Sequence, residues 1–161
     1  MVVRAFRPGD EAALHGVFYS AVHCLAAKDY APKQVEAWAP SLPDVDRWTA
    51  RMRQLRPFVA EESGRIVGYA DLQNDGYIDH FFVSGDRARR GVGRLLMNQI
   101  HERAKGLELR ALRSDVSLTA QPFFERFGFR VVESRVVVIR GVELTNARMV
   151  KNLSELSGSA G

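Results

Sequence analysis

Tyr77 to Met97, YIDHFFVSGDRARRGVGRLLM, decides the fold. Tyr77 to Val83 is rich in aromatic and β-branched side chains and predicts a strand. Ser84 to Arg90 is a turn rich in arginine. From Gly91 to Ala104 the residues Val92, Leu95, Leu96 and Ile100 recur at helical spacing. A strand, a short turn and a helix opened by glycines therefore follow one another. The first N–H groups of a helix have no partner within it, and the helix dipole makes that end positive. Gly91 and Gly93 carry no side chain to block a close approach. Arg87, Arg89, Arg90 and Arg94 add positive charge. The segment thus predicts a phosphate-binding turn.

Two common phosphate ligands do not fit. A Walker A loop needs Gly-Lys-Ser/Thr, but Gly93 is followed by Arg94-Leu95. A dinucleotide fingerprint needs a third glycine where Leu96 stands.

Upstream, Val2 to Phe6 predicts a strand and Pro8-Gly9-Asp10 a break, with Asp10 as helix cap. Leu14, Val17, Phe18, Ala21, Val22 and Leu25 predict an amphipathic helix over residues 11 to 27. Short helices follow at Gln34 to Trp38 and from Asp44 to about Leu55. Phe58 to Ala60, Ile66 to Leu72 and Tyr77 to Val83 read as an antiparallel meander, with hairpin signals at Ser63-Gly64 and Asn74-Asp75-Gly76. Downstream come a strand at Leu107 to Leu112 and a helix at Leu118 to Phe127 stopped by Gly128. A hairpin of Phe129 to Ile139 with Val142 to Met149 closes the chain. The order predicts an α+β fold with a mostly antiparallel sheet flanked by helices.

Composition agrees with one globular domain. The chain has 161 residues, 46% hydrophobic and 26% charged, with no repeat and no linker. We expect a single domain over residues 1–153 and a disordered tail over 154–161. Cys24 stands alone, so no internal disulfide forms. No apolar run approaches the roughly 20 residues of a membrane span, and the amino terminus lacks a signal segment. These features predict a soluble cytoplasmic protein. Net charge is +4, with 19 of 23 basic residues arginine. The excess permits an anionic partner but selects none. A nucleic-acid module lacks support, since there is neither aromatic interleaving nor a helix-turn-helix signal. His15, His23 and His101 show no metal spacing, so no metal is expected.

Together these segments resemble the GNAT superfamily of N-acetyltransferases. IVGYADL (66–72) resembles the strand before the family's core motif, and IDHFFVSGDRARRGVG (78–93) resembles its acetyl-CoA motif. SLTAQPFFERFGF (117–129) is similar to Asn-x-x-Ala-x-x-Phe-Tyr-x-x-x-Gly-Phe. Val2 to Leu25 resembles the opening strand and helix. The resemblance implies a sheet whose central strands splay apart, with the pantetheine arm of acetyl-CoA in the gap. The main chain of Phe81, Phe82 and Val83 would bind that arm and the acetyl carbonyl. The amides of Arg89, Arg90, Gly91, Val92, Gly93 and Arg94 would cradle the pyrophosphate. Implied too is direct transfer to a primary amine of a small molecule or protein, in one ternary complex, and a homodimer is common in the family. The sequence departs from the pattern in places. Ala88 replaces Gln or Arg, and Ser117 replaces Asn yet could still bond the pantetheine. Phe124 replaces the Tyr that often protonates the leaving thiolate.

Among acids and bases, Asp79 is the leading base candidate, on a strand parity shared with Tyr77, Phe81 and Val83. The same carboxylate could instead hold a loop. His80 would point to the other face. Tyr77 is a weaker candidate acid and Asp115 a weaker alternative base. Tyr30, Trp38 and Trp48 lie in the stretch where the family builds its acceptor pocket, and could equally be core. A non-catalytic acyl-CoA binding or sensing domain is the alternative function, motivated by Phe124.

Overall fold

A computed structural model of the protein describes residues 1–153; the expected tail, 154–161, lies outside the described residues. The chain runs β1 (Val2–Ala5), α1 (Glu11–Ser20), α2 (Pro32–Trp38), α3 (Val45–Leu55), β2 (Phe58–Glu62), β3 (Arg65–Ala70), β4 (Tyr77–Ile78) and β5 (Phe81–Val83). It continues through α4 (Val92–Gly106), β6 (Ala111–Ser117), α5 (Gln121–Arg126), β7 (Arg130–Ile139) and β8 (Val142–Asn152).

Two four-stranded sheets result, ordered β1-β2-β3-β5 and β4-β6-β8-β7. Every strand pair is antiparallel except β4 with β6. This is the mixed, mostly antiparallel α+β arrangement expected. One apolar cluster packs Val92, Leu96, Met97 and Ile100 of α4 against Val67, Leu112 and Met149 of the sheets. A second packs Leu14, Val17 and Phe18 of α1 against Met52, Val59 and Tyr69.

Several local expectations change. The helix from residue 11 widens to a π-helical segment at Ala21–Leu25 and tightens at Ala26–Lys28. Asp10 does not cap α1 with its side chain. Its carboxylate instead accepts from the Arg7 amide at 2.8 Å and pairs with Arg4, closing the Pro8-Gly9 turn. Asp44 does cap α3, accepting from the Arg47 amide. The strand expected from Leu107 starts later because α4 runs on to Gly106. Gly128 stops α5 with φ at +90°.

The largest change falls in the deciding segment. Tyr77 to Val83 is two strands with different partners. Tyr77 and Ile78 pair in parallel with Arg113 and Ser114 of β6. Phe81 to Val83 pair antiparallel with Gly68 to Ala70 of β3. The chain breaks at Asp79-His80, because the buried Asp71 carboxylate takes both of their amides.

Candidate active site

The break in the strand opens a fork. Past Ile78 and Ser114, β5 and β6 diverge, and the second edge of β5 pairs with no strand among the described residues. One Asp71 oxygen accepts from the amides of Asp79 (2.9 Å) and His80 (2.6 Å). The Asp71 amide donates back to the His80 carbonyl at 3.1 Å. These three bonds replace ladder bonds the diverging strand has lost. The other Asp71 oxygen is buried without a partner. Burial, then the negative charge of Asp79, pushes the Asp71 carboxyl up to about 6, against the pull of the two amides.

The fork leads into a cleft of about 300 Å³. Asp79, His80 and Phe82 line one side; Asp115, Ser117 and Asn146 line the other. Phe18, Tyr30 and Trp38 form an aromatic wall. Because the strand breaks, parity fails as a guide. His80 joins Asp79 in the cleft, whereas Phe81 packs the opposite way, against Phe123 and Phe124.

The two cleft carboxylates are each held by arginine. Asp79 pairs with Arg51 of α3. Asp115 takes both Arg148 and Arg135 at 3.0 Å, and accepts from the Tyr77 hydroxyl at 3.3 Å. Those guanidiniums outweigh burial and hold the Asp115 carboxyl below its usual value. Burial and the Asp115 charge push the Tyr77 phenol up to about 12. Tyr77 therefore keeps its proton and is a poor acid.

Of the expected pocket residues, Tyr30 and Trp38 reach the cleft and Trp48 does not. The Tyr30 hydroxyl donates to the Thr145 carbonyl (2.6 Å) and accepts from the Leu118 amide (2.9 Å). Trp48 sits behind, edge-on to His15 and His80, with its indole N–H on the Glu11 carbonyl.

The expected phosphate turn, before α4, is open. Gly91 stands at φ +86°, and a Cβ there would meet nothing within 4 Å. Arg89 and Arg90 are exposed and take no ion-pair partner among the described residues. Arg87 is engaged elsewhere, on Glu62 and Asp86, which removes it from the phosphate cluster. Arg94 lies 5.8 Å over the Phe127 ring. Gly93 is small for a different reason than expected: a Cβ there would approach Phe123 to 3.0 Å.

The acetyltransferase (GNAT) domain family matches residues 26–151. The uncharacterized N-acetyltransferase YafP of Escherichia coli (strain K12) is 35% identical over 147 residues, covering 91% of this chain and 93% of its own. The chain belongs to the GNAT acetyltransferase family. A GCN5-related N-acetyltransferase from Rhodopseudomonas palustris shares 31% identity, with a TM-score of 0.90 over 94% of this chain and 95% of that one. The PaiA N-acetyltransferase of Thermoplasma acidophilum, solved in complex with coenzyme A, has the same fold at 14% identity and a TM-score of 0.72, over 94% and 99%.

In this GNAT acetyltransferase the fork and the Gly91 turn each leave main chain open. The β5 edge is unpaired by any strand, the space beside Gly91 is empty, and Arg89 and Arg90 have no ion-pair partner among the described residues. The Ser117 hydroxyl oxygen accepts from the Ala120 amide at 3.2 Å, which leaves its own O–H free. Phe124, at 2% exposure, is packed among Phe81, Phe123 and Phe129. Among the described residues, no group of three or more His, Cys, Asp or Glu could hold a metal. No helix of the described residues is long and apolar enough to cross a membrane. Sequence reasoning missed Asp71, His80 and Arg51. Their signal was spatial: one break aims two consecutive residues the same way.

Proposed function

We propose that the protein transfers an acetyl group from acetyl-CoA to a primary amine, directly, with both substrates bound together. The fork carries this reading: an unpaired β5 edge on one side, and two carboxylates facing an aromatic-walled cleft on the other. Acetyl-CoA, when bound, supplies the acyl group as an activated thioester. The main chain of Phe81, Phe82 and Val83 would hold its arm, with Ser117 across the gap. The amides of Arg89, Arg90, Gly91, Val92, Gly93 and Arg94 would hold its phosphates. Phe124 contributes packing rather than a proton. Asp79 accepts the proton of the incoming ammonium, being held by one guanidinium where Asp115 is held by two. Trp38 and Tyr30 shape the acceptor side.

A thermal-shift assay with acetyl-CoA, followed by thiol release across an amine panel, tests this. A raised midpoint and thiol release with some amine are expected. No shift with any acyl-CoA overturns the reading. A shift without turnover of any amine favours a non-catalytic acyl-CoA domain.

A further inference from the structure

His80 lines the cleft but neither binds the donor nor takes the proton. The Tyr69 side chain of β3 is fully buried, and its hydroxyl lies 3.0 Å from His80 Nδ1, its one hydrogen-bond partner among the described residues. Burial, then the charges of Asp71 and Asp79, pushes the Tyr69 phenol far above its usual value, so the hydroxyl keeps its proton. A buried O–H without an acceptor is strongly disfavoured. Among the described residues the only acceptor it bonds is Nδ1. Nδ1 therefore carries a lone pair, and the proton of a neutral imidazole sits on Nε2. Nε2 makes no hydrogen bond among the described residues and lies 4.0 Å from the Asp79 carboxylate, and His80 lines the cleft.

The groups around His80 keep it neutral. Phe18 of α1, Trp48 of α3 and Phe82 of β5 surround the ring. Their burial of it lowers the imidazole to about 4; Asp79 opposes this and Arg51 of α3 reinforces it. Asp71 faces the His80 amide rather than the ring.

We propose that Tyr69 fixes His80 as a neutral Nε2–H donor on the acceptor side of the cleft, where it selects a primary amine that carries a carbonyl oxygen close to its nitrogen. The chemistry of the wall divides in two. Asp79 and Asp115 are acceptors and suit the ammonium; His80 is a donor and suits an oxygen beside it. A cationic imidazole would repel the ammonium, whereas the neutral one does not. The oxygen then fixes how the nitrogen points. His80 is thus a positioning residue. The amine half rests on the acetyl transfer proposed above; the tautomer rests on Tyr69 alone.

Histidine-selective ¹H–¹⁵N spectra of the free protein test the tautomer. His80 should show a protonated Nε2 and an unprotonated Nδ1, with no titration above pH 5. The opposite tautomer, or a midpoint above pH 6, overturns the proposal. Tyr69→Phe should shift His80 toward a mixed or Nδ1–H pattern; an unchanged pattern overturns the lock. Kinetics test the selection, using an amino-acid amide and the alkylamine without its carbonyl. The wild type should prefer the amide in kcat/KM by about 100-fold, because an unfilled polar site rejects the analogue. His80→Gln, which keeps a donor, should retain most of that preference, and His80→Leu should reduce it to about threefold or less. A preference unchanged in His80→Leu overturns the role. Turnover of neither amine with acetyl-CoA binding intact overturns the oxygen-bearing class. Loss of acetyl-CoA binding itself, in thermal shift, marks failure of the underlying acetyl transfer.

Discussion

Asp79 and Asp115 are the first residues on opposite prongs of one fork. Ile78 and Ser114 form the last paired step of β4 and β6, and each carboxylate is the next residue along. Their surroundings are unequal. Asp115 is clamped by Arg135, Arg148 and the Tyr77 hydroxyl, whereas one arginine, Arg51, pairs with Asp79 among the described residues. Asp115 is the more tightly held of the two carboxylates.

Asp79→Asn should therefore lower kcat by about 10²–10⁴-fold, the usual contribution of a positioned base. Acetyl-CoA affinity should stay within about twofold, since the phosphate turn lies elsewhere. Bisubstrate kinetics and calorimetry check both numbers. A wild-type rate would move the proton acceptor to another group.

Gly91 and Gly93 should respond differently to substitution. Gly91→Val meets no neighbour but must adopt φ +86°, which costs about 1–2 kcal/mol. It would also fill the open space and should weaken coenzyme A binding by at least about tenfold. Gly91→Asn, better tolerated at positive φ, should recover most of the stability. Gly93→Ala presses on Phe123 and should lower stability with a smaller loss of affinity. Denaturant titration and calorimetry separate these effects; equal binding by Gly91→Val and wild type would refute the assignment.

Asp71 should set a pH dependence of stability. Its folded-state carboxyl sits at about 6, above the ordinary value of 3.8. Between those values the native state holds more protons than the unfolded one, so stability falls as pH rises. At ~1.4 kcal/mol per unit the decline amounts to a few kcal/mol between about pH 4 and pH 6. Asp71→Asn keeps an oxygen for the two amides and removes the titration. Urea unfolding across pH 4–8 should show a flatter profile for the variant; parallel profiles would contradict the burial argument.

Trp38 stands in the aromatic wall, edge-on to Tyr30 at 5.6 Å and to Phe82 at 6.1 Å. Trp38→Ala should raise the acceptor KM by about tenfold, the scale of a lost aromatic anchor, and leave the acetyl-CoA KM unchanged. A matched rise in both would mean that the wall shapes the donor site as well.

Most of the fold could be read from local pattern. Spacing located α4, and turn chemistry located Ser63-Gly64 and the Gly128 stop. Each of these depends on neighbours within a few residues. The fork did not follow from pattern, because what divides Tyr77 to Val83 is a carboxylate buried eight and nine residues upstream, at Asp71. Strand parity then assigned His80 to the wrong face and placed Phe81 with Asp79. Trp48 illustrates the same limit, since its periodicity could not show that it backs the cleft wall instead of forming it. Arg87 looked like part of a phosphate cluster until Glu62, from outside the turn, and its neighbour Asp86 claimed it.

The unpaired edge of β5 has a wider consequence. It belongs to a half-buried strand, and a fold normally leaves little strand main chain bare. Only a partner about as slender as one polypeptide strand can enter such a slot. Recognition of this kind is written in peptide groups, so side chains along β5 can drift without erasing it. The donor side of such an enzyme can stay constant while the opposite wall, made of side chains, is free to specialise.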